Sequence, residues 1–195
     1  FIAGADIELM STFNPEEAYQ YSIKGQNLIK IISNFSKPVL GAINGYALGG
    51  GCEISLACHL RYASINSIFG QPEVKLGIIA GWGGTQNLSR LIGPSNALDL
   101  LLSGRNIKSD EAYRLGLINN IFEEDLLKKV IEIALKINSN SPYAIRKTIA
   151  SVKNGYNKDL NEALDVEALA FKDTFLNSES KLGLNSFINK EKPKF

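Results

Sequence analysis

Up to residue 123 short apolar strands alternate with helical segments, and beyond it every periodic segment is helical. That alternation calls for an α/β core, and the run of helices for a separate helical region. Two parts are therefore expected, 1–123 and 124–195. In the first, Asn14-Pro15-Glu16-Glu17 opens a helix, with Asn as N-cap, Pro at the first position and Glu at N3. It runs to about Asn34 and offers Tyr19, Ile23, Leu28, Ile31 and Ile32 for burial. Ser36-Lys37-Pro38 breaks it, and the run from Val39 to Ile43 reads as a strand buried on both faces. Asn44-Gly45 turns the chain, and Gly49-Gly50-Gly51 leads into a helix from Cys52 to Cys58. Leu60 to Ser64 is a strand and Ser67 to Gly70 a short extended piece. A Gly-rich loop follows to Gly84, then a helix through Leu91. Helices are expected from Asn96 to Leu102 and from Ser109 to Gly116, with a last strand from Leu117 to Phe122. Leu126–Ile137, Pro142–Lys153 and Leu160–Leu176 read as amphipathic helices, and Gly183–Phe187 as a shorter one.

Composition removes several function classes. Lys+Arg at 21 against Asp+Glu at 20 gives no basic field for nucleic acid. No apolar run reaches the roughly 18 residues of a membrane-spanning helix. Cys52, Cys58 and the single His59 cannot supply a zinc site, which takes about four ligands. The two cysteines read as reduced core thiols, and with no signal peptide they fit a cytoplasmic protein.

The glycine clusters match none of the common phosphate or nucleophile motifs. Gly45 and Gly50 have Walker A spacing, but Gly51 and Cys52 stand where Lys and Ser/Thr are needed. After Gly81-x-Gly83, Gln86 occupies the third place of a dinucleotide fingerprint. No G-x-S-x-G elbow occurs. What remains is a backbone argument. Glycines before a helix let a ligand approach, and the free N–H groups and positive helix end there favour an oxyanion. Glu53 lies in the first turn of that helix, and Glu73 lies in the apolar, Gly-rich loop. Facing one site, the two could share a water and do acid–base work. From spacing alone a second reading stays open: Glu53 complements the helix dipole, the glycines make a packing turn, and Glu73 is a solvated loop residue.

Four motifs taken together resemble the crotonase superfamily, the enoyl-CoA hydratases and isomerases. They are Phe1-Ile2-Ala3-Gly4-Ala5-Asp6-Ile7, Lys37-Pro38-Val39 through Asn44-Gly45-Tyr46-Ala47-Leu48-Gly49-Gly50-Gly51-Cys52-Glu53, Phe69-Gly70-Gln71-Pro72-Glu73, and Gly81-Trp82-Gly83-Gly84-Thr85-Gln86. The likeness runs in order over essentially the whole chain and is nearest to the hydratases. It implies an α/β fold with a crotonase-like ββα spiral core and a helical C-terminal trimerisation region, in a homotrimer or a dimer of trimers. It also implies syn hydration of a trans-2-enoyl-CoA to a 3-hydroxyacyl-CoA. Ala5 and Gly50 would donate backbone N–H groups to the thioester oxygen. Glu53 and Glu73 would hold the water, with Glu73 delivering the proton to the α-carbon. Gly81 would present its N–H to that water or to the adjacent glutamate. Ala3, Ala5, Asp6 and Ile7 would lie along CoA, and Trp82 would pack against the acyl pocket or the loop. No metal or redox cofactor is implied, since CoA is part of the substrate.

Two carboxylates favour hydration over the alternatives, an isomerase or a non-catalytic CoA-binding chain. Departures from the pattern are His59 for a common Asp, Ala80 for a common Pro, and Glu8 where some relatives carry Lys. Lys190, Lys192 and Lys194 either compensate near the CoA phosphates or form a solvated end. Family members open with further strands before the Ala-Gly-Ala-Asp segment. The resemblance therefore implies that Phe1 is a cut point, that Ala5 hangs on a mobile end, and that the chain is weak or inactive.

Overall fold

The computed structural model describes all 195 residues. The chain divides into two units, residues 1–35 with 39–130, and residues 36–38 with 131–195. The division falls inside a helix, beyond the 123/124 position drawn from the sequence.

In the first unit α1 (Ile7–Met10) is capped by Asp6, whose carboxylate accepts the Leu9 N–H. α2 (Pro15–Ser33) starts with the expected capping box, Asn14 and Glu17 each accepting the other's backbone N–H. Its inward stripe differs from the expected one. Gly25 and Ile29 are buried, with Ser22 and Gln26 half-buried beside them; of the expected residues Ile23 and Ile32 are half-buried, whereas Tyr19, Leu28 and Ile31 are exposed. A stripe at positions 22, 25, 26 and 29 has helical spacing, so α2 is amphipathic in position but polar at two of its inner places.

β1 (Leu40–Ile43) pairs in parallel with β3 (Leu60–Ser64), which pairs in parallel with β6 (Asn120–Phe122). β1 alternates between half-buried and buried residues rather than being buried on both faces. β2 (Tyr46–Leu48) pairs in parallel with β4 (Ile68–Gly70), and β5 (Asn106–Lys108) closes that sheet antiparallel to β4. β2 and β5 are too short to carry a readable period, and only their partners define them. β6 is shorter than its apolar run because the Leu117 carbonyl accepts the Arg61 guanidinium and Asn119 N–H donates to the Arg61 carbonyl. α3 (Gly50–Ala57), α4 (Gly84–Ile92), α5 (Pro94–Ser103) and α6 (Ser109–Arg114) complete the unit. Ile43, Phe69, Leu88, Leu100, Ile107 and Leu117 are at the centre of its apolar core.

The second unit is helical. α7 (Leu126–Asn138) enters it, and α8 (Pro142–Gly155), α9 (Leu160–Thr174) and α10 (Ser178–Ile188) follow. Glu179 accepts from the Ser141 hydroxyl and the Tyr143 N–H, fixing the start of α8 to α10. No helix of the protein is long and apolar enough to cross a membrane. Cys52 and Cys58 are free and buried, as the sequence suggested.

Candidate active site

The chain enters α3 through Gly49, and the first intrahelical bond runs from Glu53 N–H to the Gly49 carbonyl. The Gly50 N–H therefore sits in the first turn with no partner inside the helix. Strand residues beside it bring in the N-terminal segment. Ile2 pairs in parallel with Ala47, its N–H donating to Tyr46 O (2.8 Å) and its carbonyl accepting from Leu48 N–H (3.1 Å). The Phe1 amino group also donates to the Asn44 carbonyl. Against the expected mobile end, this segment is tied down. Ala5, three residues beyond this bridge, is half-buried. Ala3, Asp6 and Ile7 are exposed along the same edge, with the Asp6 carboxylate engaged as the α1 cap.

Glu53 is only 2% exposed. Its Oε1 accepts two backbone N–H groups, from Trp82 and Gly84, each at 2.7 Å. Gly84 has to be glycine for this approach, because a Cβ there would lie 3.0 Å from Glu53 Oε1 and 2.9 Å from the Ala80 Cβ. The expected Gly81 donor thus gives way to its neighbours as partners of the carboxylate. Gly81 is instead engaged through its carbonyl, which accepts from Ser22 Oγ and Gln26 Nε2 on α2.

Glu73 opens a single 3-10 turn, Glu73–Leu76, and its carboxylate lies beside Gly49 at the start of α3. With its nitrogen turned toward Glu73, the buried Gln71 amide donates to both carboxylate oxygens, at 2.9 and 3.1 Å. Burial raises both carboxyls. Glu53 is pushed up to about 7, chiefly by desolvation and further by the charge of Glu73, against the lowering effect of its N–H donors. Burial likewise raises Glu73. The Cys52 thiol beside them is pushed up to about 12 by burial, so it stays neutral. Both carboxyls therefore hold a proton to higher pH than an ordinary glutamate does.

A cavity of about 330 Å³ opens from Glu73. Its other walls include Val74, Ile79, Ala97, Leu98 and Leu101. Trp82 does not line it. The indole lies over Gly25 and Gly50 and packs with Tyr21 at 5.5 Å, so it joins α2 to α3. His59 has a backbone role, its Nδ1 accepting the Val39 N–H at 2.9 Å.

Among the partners of the site, Ser22 and Gln26 are absent from the sequence reading, and Gln71 enters it only within a motif and without a role. The one signal for the α2 pair is the polar i, i+4 spacing astride Gly25.

The arrangement combines an unpaired N–H at a helix start, two carboxyls raised by burial and an apolar cavity. The profile of the family described as Enoyl-CoA hydratase/isomerase matches residues 1–195. The chain is 43% identical over 196 residues to the crotonyl-CoA hydratase of Syntrophomonas wolfei, covering 100% of this chain and 75% of that one. It is 44% identical over 193 residues to the short-chain-enoyl-CoA hydratase of Clostridium acetobutylicum, covering 98% and 74%. The crystal structure of an enoyl-CoA hydratase from Bacillus anthracis superposes with a TM-score of 0.94 at 38% identity, over 99% of this chain and 75% of that one. One from Geobacillus kaustophilus gives 0.97 at 34%, over 100% and 75%. The mixed α/β core with its helical C-terminal region is thus the crotonase fold, and the chain belongs to the enoyl-CoA hydratase/isomerase family.

Proposed function

We propose that the protein is an enoyl-CoA hydratase that adds water across the double bond of a short trans-2-enoyl-CoA. The observation that carries this is the pair of carboxyls, buried Glu53 and half-buried Glu73, beside the unpaired N–H at the start of α3. The named hydratases at 43% and 44% identity support the same activity.

In the proposed reaction the Gly50 and Ala5 N–H groups donate to the thioester oxygen, where negative charge builds as water attacks the β-carbon. Such donors lower the barrier because they are aimed before the charge appears, and losing one costs about 10²–10³ in rate. The water oxygen bonds to the β-carbon and its proton passes to the Glu53 carboxylate. The reactive form of the singly protonated pair is the one with the proton on Glu73, and Glu73 gives that proton to the α-carbon. In this reading both carboxyls act on the same face of the double bond, so the addition is syn. The pair is reset when the proton on Glu53 returns to Glu73 through solvent. The acyl chain lies in the cavity beside Glu73. Addition of water needs no external oxidant or metal, so the reading includes no cofactor beyond the CoA of the substrate. Ala3, Asp6 and Ile7 line the CoA edge, and Trp82 serves as support for the loop.

The reading extends to a homotrimer or a dimer of trimers, supported by the exposed Leu176, Phe187 and Ile188 at the C-terminal helices. A cytoplasmic location is supported by the two free, buried thiols.

The test is to mix the purified chain with crotonyl-CoA. Loss of the conjugated thioester absorbance, with 3-hydroxybutyryl-CoA as product, is the expected result. Faster turnover of a 3-enoyl-CoA would select isomerisation, and no turnover of either would overturn the activity.

A further inference from the structure

The Gly81–Trp82 peptide is held from both sides. On one side its carbonyl accepts the Ser22 hydroxyl at 2.5 Å and the Gln26 amide at 3.1 Å. On the other side its N–H donates to Glu53 Oε1 at 2.7 Å. The peptide is trans, so these two bonds point in opposite directions from one plane. Gln26 also donates to Ser22 Oγ at 3.2 Å, which ties the two α2 residues into one grip. They sit four residues apart on the same face of α2, one helical turn, with the buried Gly25 between them under the Trp82 ring. A carbonyl that accepts two donors polarises its own peptide, so the opposite N–H becomes the stronger donor.

We propose that Ser22 and Gln26 are positioning residues of the reaction, acting through the Gly81–Trp82 peptide to aim and ionise Glu53. The proposal rests on the hydratase reading for its effect on rate, but the bond chain itself can be read without substrate. α2 carries no residue that touches the carboxylates. Its contribution is to fix the donor that favours the charged form of Glu53. The ionisable groups facing Glu53 from the elements around it are Glu73 on the following loop and Cys52 on α3 itself. Neither changes in variants of α2, so a shift in Glu53 would report the grip alone.

The chain has a single tryptophan, so ¹⁵N-tryptophan labelling gives one backbone amide and one indole signal. The Trp82 amide proton, bonded to Glu53, follows the titration of that carboxyl. In Ser22→Ala with Gln26→Met the amide is expected to move toward the shift of a weaker hydrogen bond. Its titration midpoint is expected to rise by about half a pH unit or more, because a carboxylate that loses donation is harder to ionise. The indole signal should hold its place if the fold is intact. In the crotonyl-CoA assay kcat should fall by about tenfold or more with KM nearly unchanged, as for a misaimed catalytic group. Ser22→Thr, which keeps the hydroxyl, should restore both readouts. Ser22→Ala and Gln26→Met singly are read the same way if the double variant does not fold. An unchanged Trp82 amide shift and midpoint in folded variants would overturn the proposal. Altered titration with no hydratase activity in the unmodified chain would instead overturn the functional reading and leave the grip standing.

Discussion

At Glu53, burial and hydrogen bonding pull in opposite directions. Desolvation raises its carboxyl to about 7, while the N–H groups of Gly84 and Trp82 lower it. Burial wins, and Glu73, raised for the same reason, is coupled to it. The pair then carries one proton across a window reaching about pH 7. A doubly protonated pair lacks a base, and a doubly ionised pair lacks an acid. The profile of kcat against pH should therefore be a bell with both limbs above the ordinary carboxylate range and one limb near pH 7. Stopped assays across pH 4–9 check this, and a flat profile would contradict the shared proton. Both glutamates stand out in the sequence beside glycine clusters that serve no phosphate motif, but spacing alone leaves a helix-dipole and a solvated-loop reading open, and only the family resemblance chooses between them. Ser22, Gln26 and Gln71 were not legible, because what they do depends on which backbone atoms a distant loop presents. A lone Ser or Gln in a helix pattern carries no mark of that.

Among the elements, α2 was placed almost to the residue, since Asn14-Pro15-Glu16-Glu17 satisfies the orphan N–H groups locally. Asn14→Ala should cost about 1 kcal/mol, read as a lower urea midpoint with unchanged slope. The inner face of α2 was misjudged for a physical reason. Large apolar residues were taken to face inward, but the space over Gly25 is filled by the indole of Trp82, 57 residues away in sequence. A Cβ at Gly25 would fall 2.1 Å from that ring. Gly25→Ala should therefore destabilise the protein by about 1–3 kcal/mol through overpacking. It should also lower kcat by moving the Trp82 N–H. Urea unfolding and the crotonyl-CoA assay together check this, and a stable, fully active variant would contradict the packing. The short strands β2 and β5 and the four-residue α1 escaped the sequence because they exist through pairing or one cap, with no period of their own.

For the whole molecule, the alternation of strands and helices and the change near residue 123 were readable because they follow from local periodicity. The division into two units came out within α7, because the sequence marks only the ends of a helix. The raised carboxyls also affect the stability of the fold. Glu53 goes from 4.5 in the unfolded chain to about 7 in the folded one, so the folded state holds its proton longer. Stability from this site is complete below 4.5 and is lost as pH rises through about 7. Melting temperatures of the protein and of Glu53→Gln should accordingly diverge as pH rises across that range, with the variant losing less. The central claim is that Glu53 and Glu73 together add the water, and steady-state hydration of crotonyl-CoA by Glu53→Gln and Glu73→Gln tests it most directly. Each substitution should lower kcat by about 10²–10⁴-fold with KM nearly unchanged, as expected for loss of a general acid or base. Full activity in both variants would contradict it.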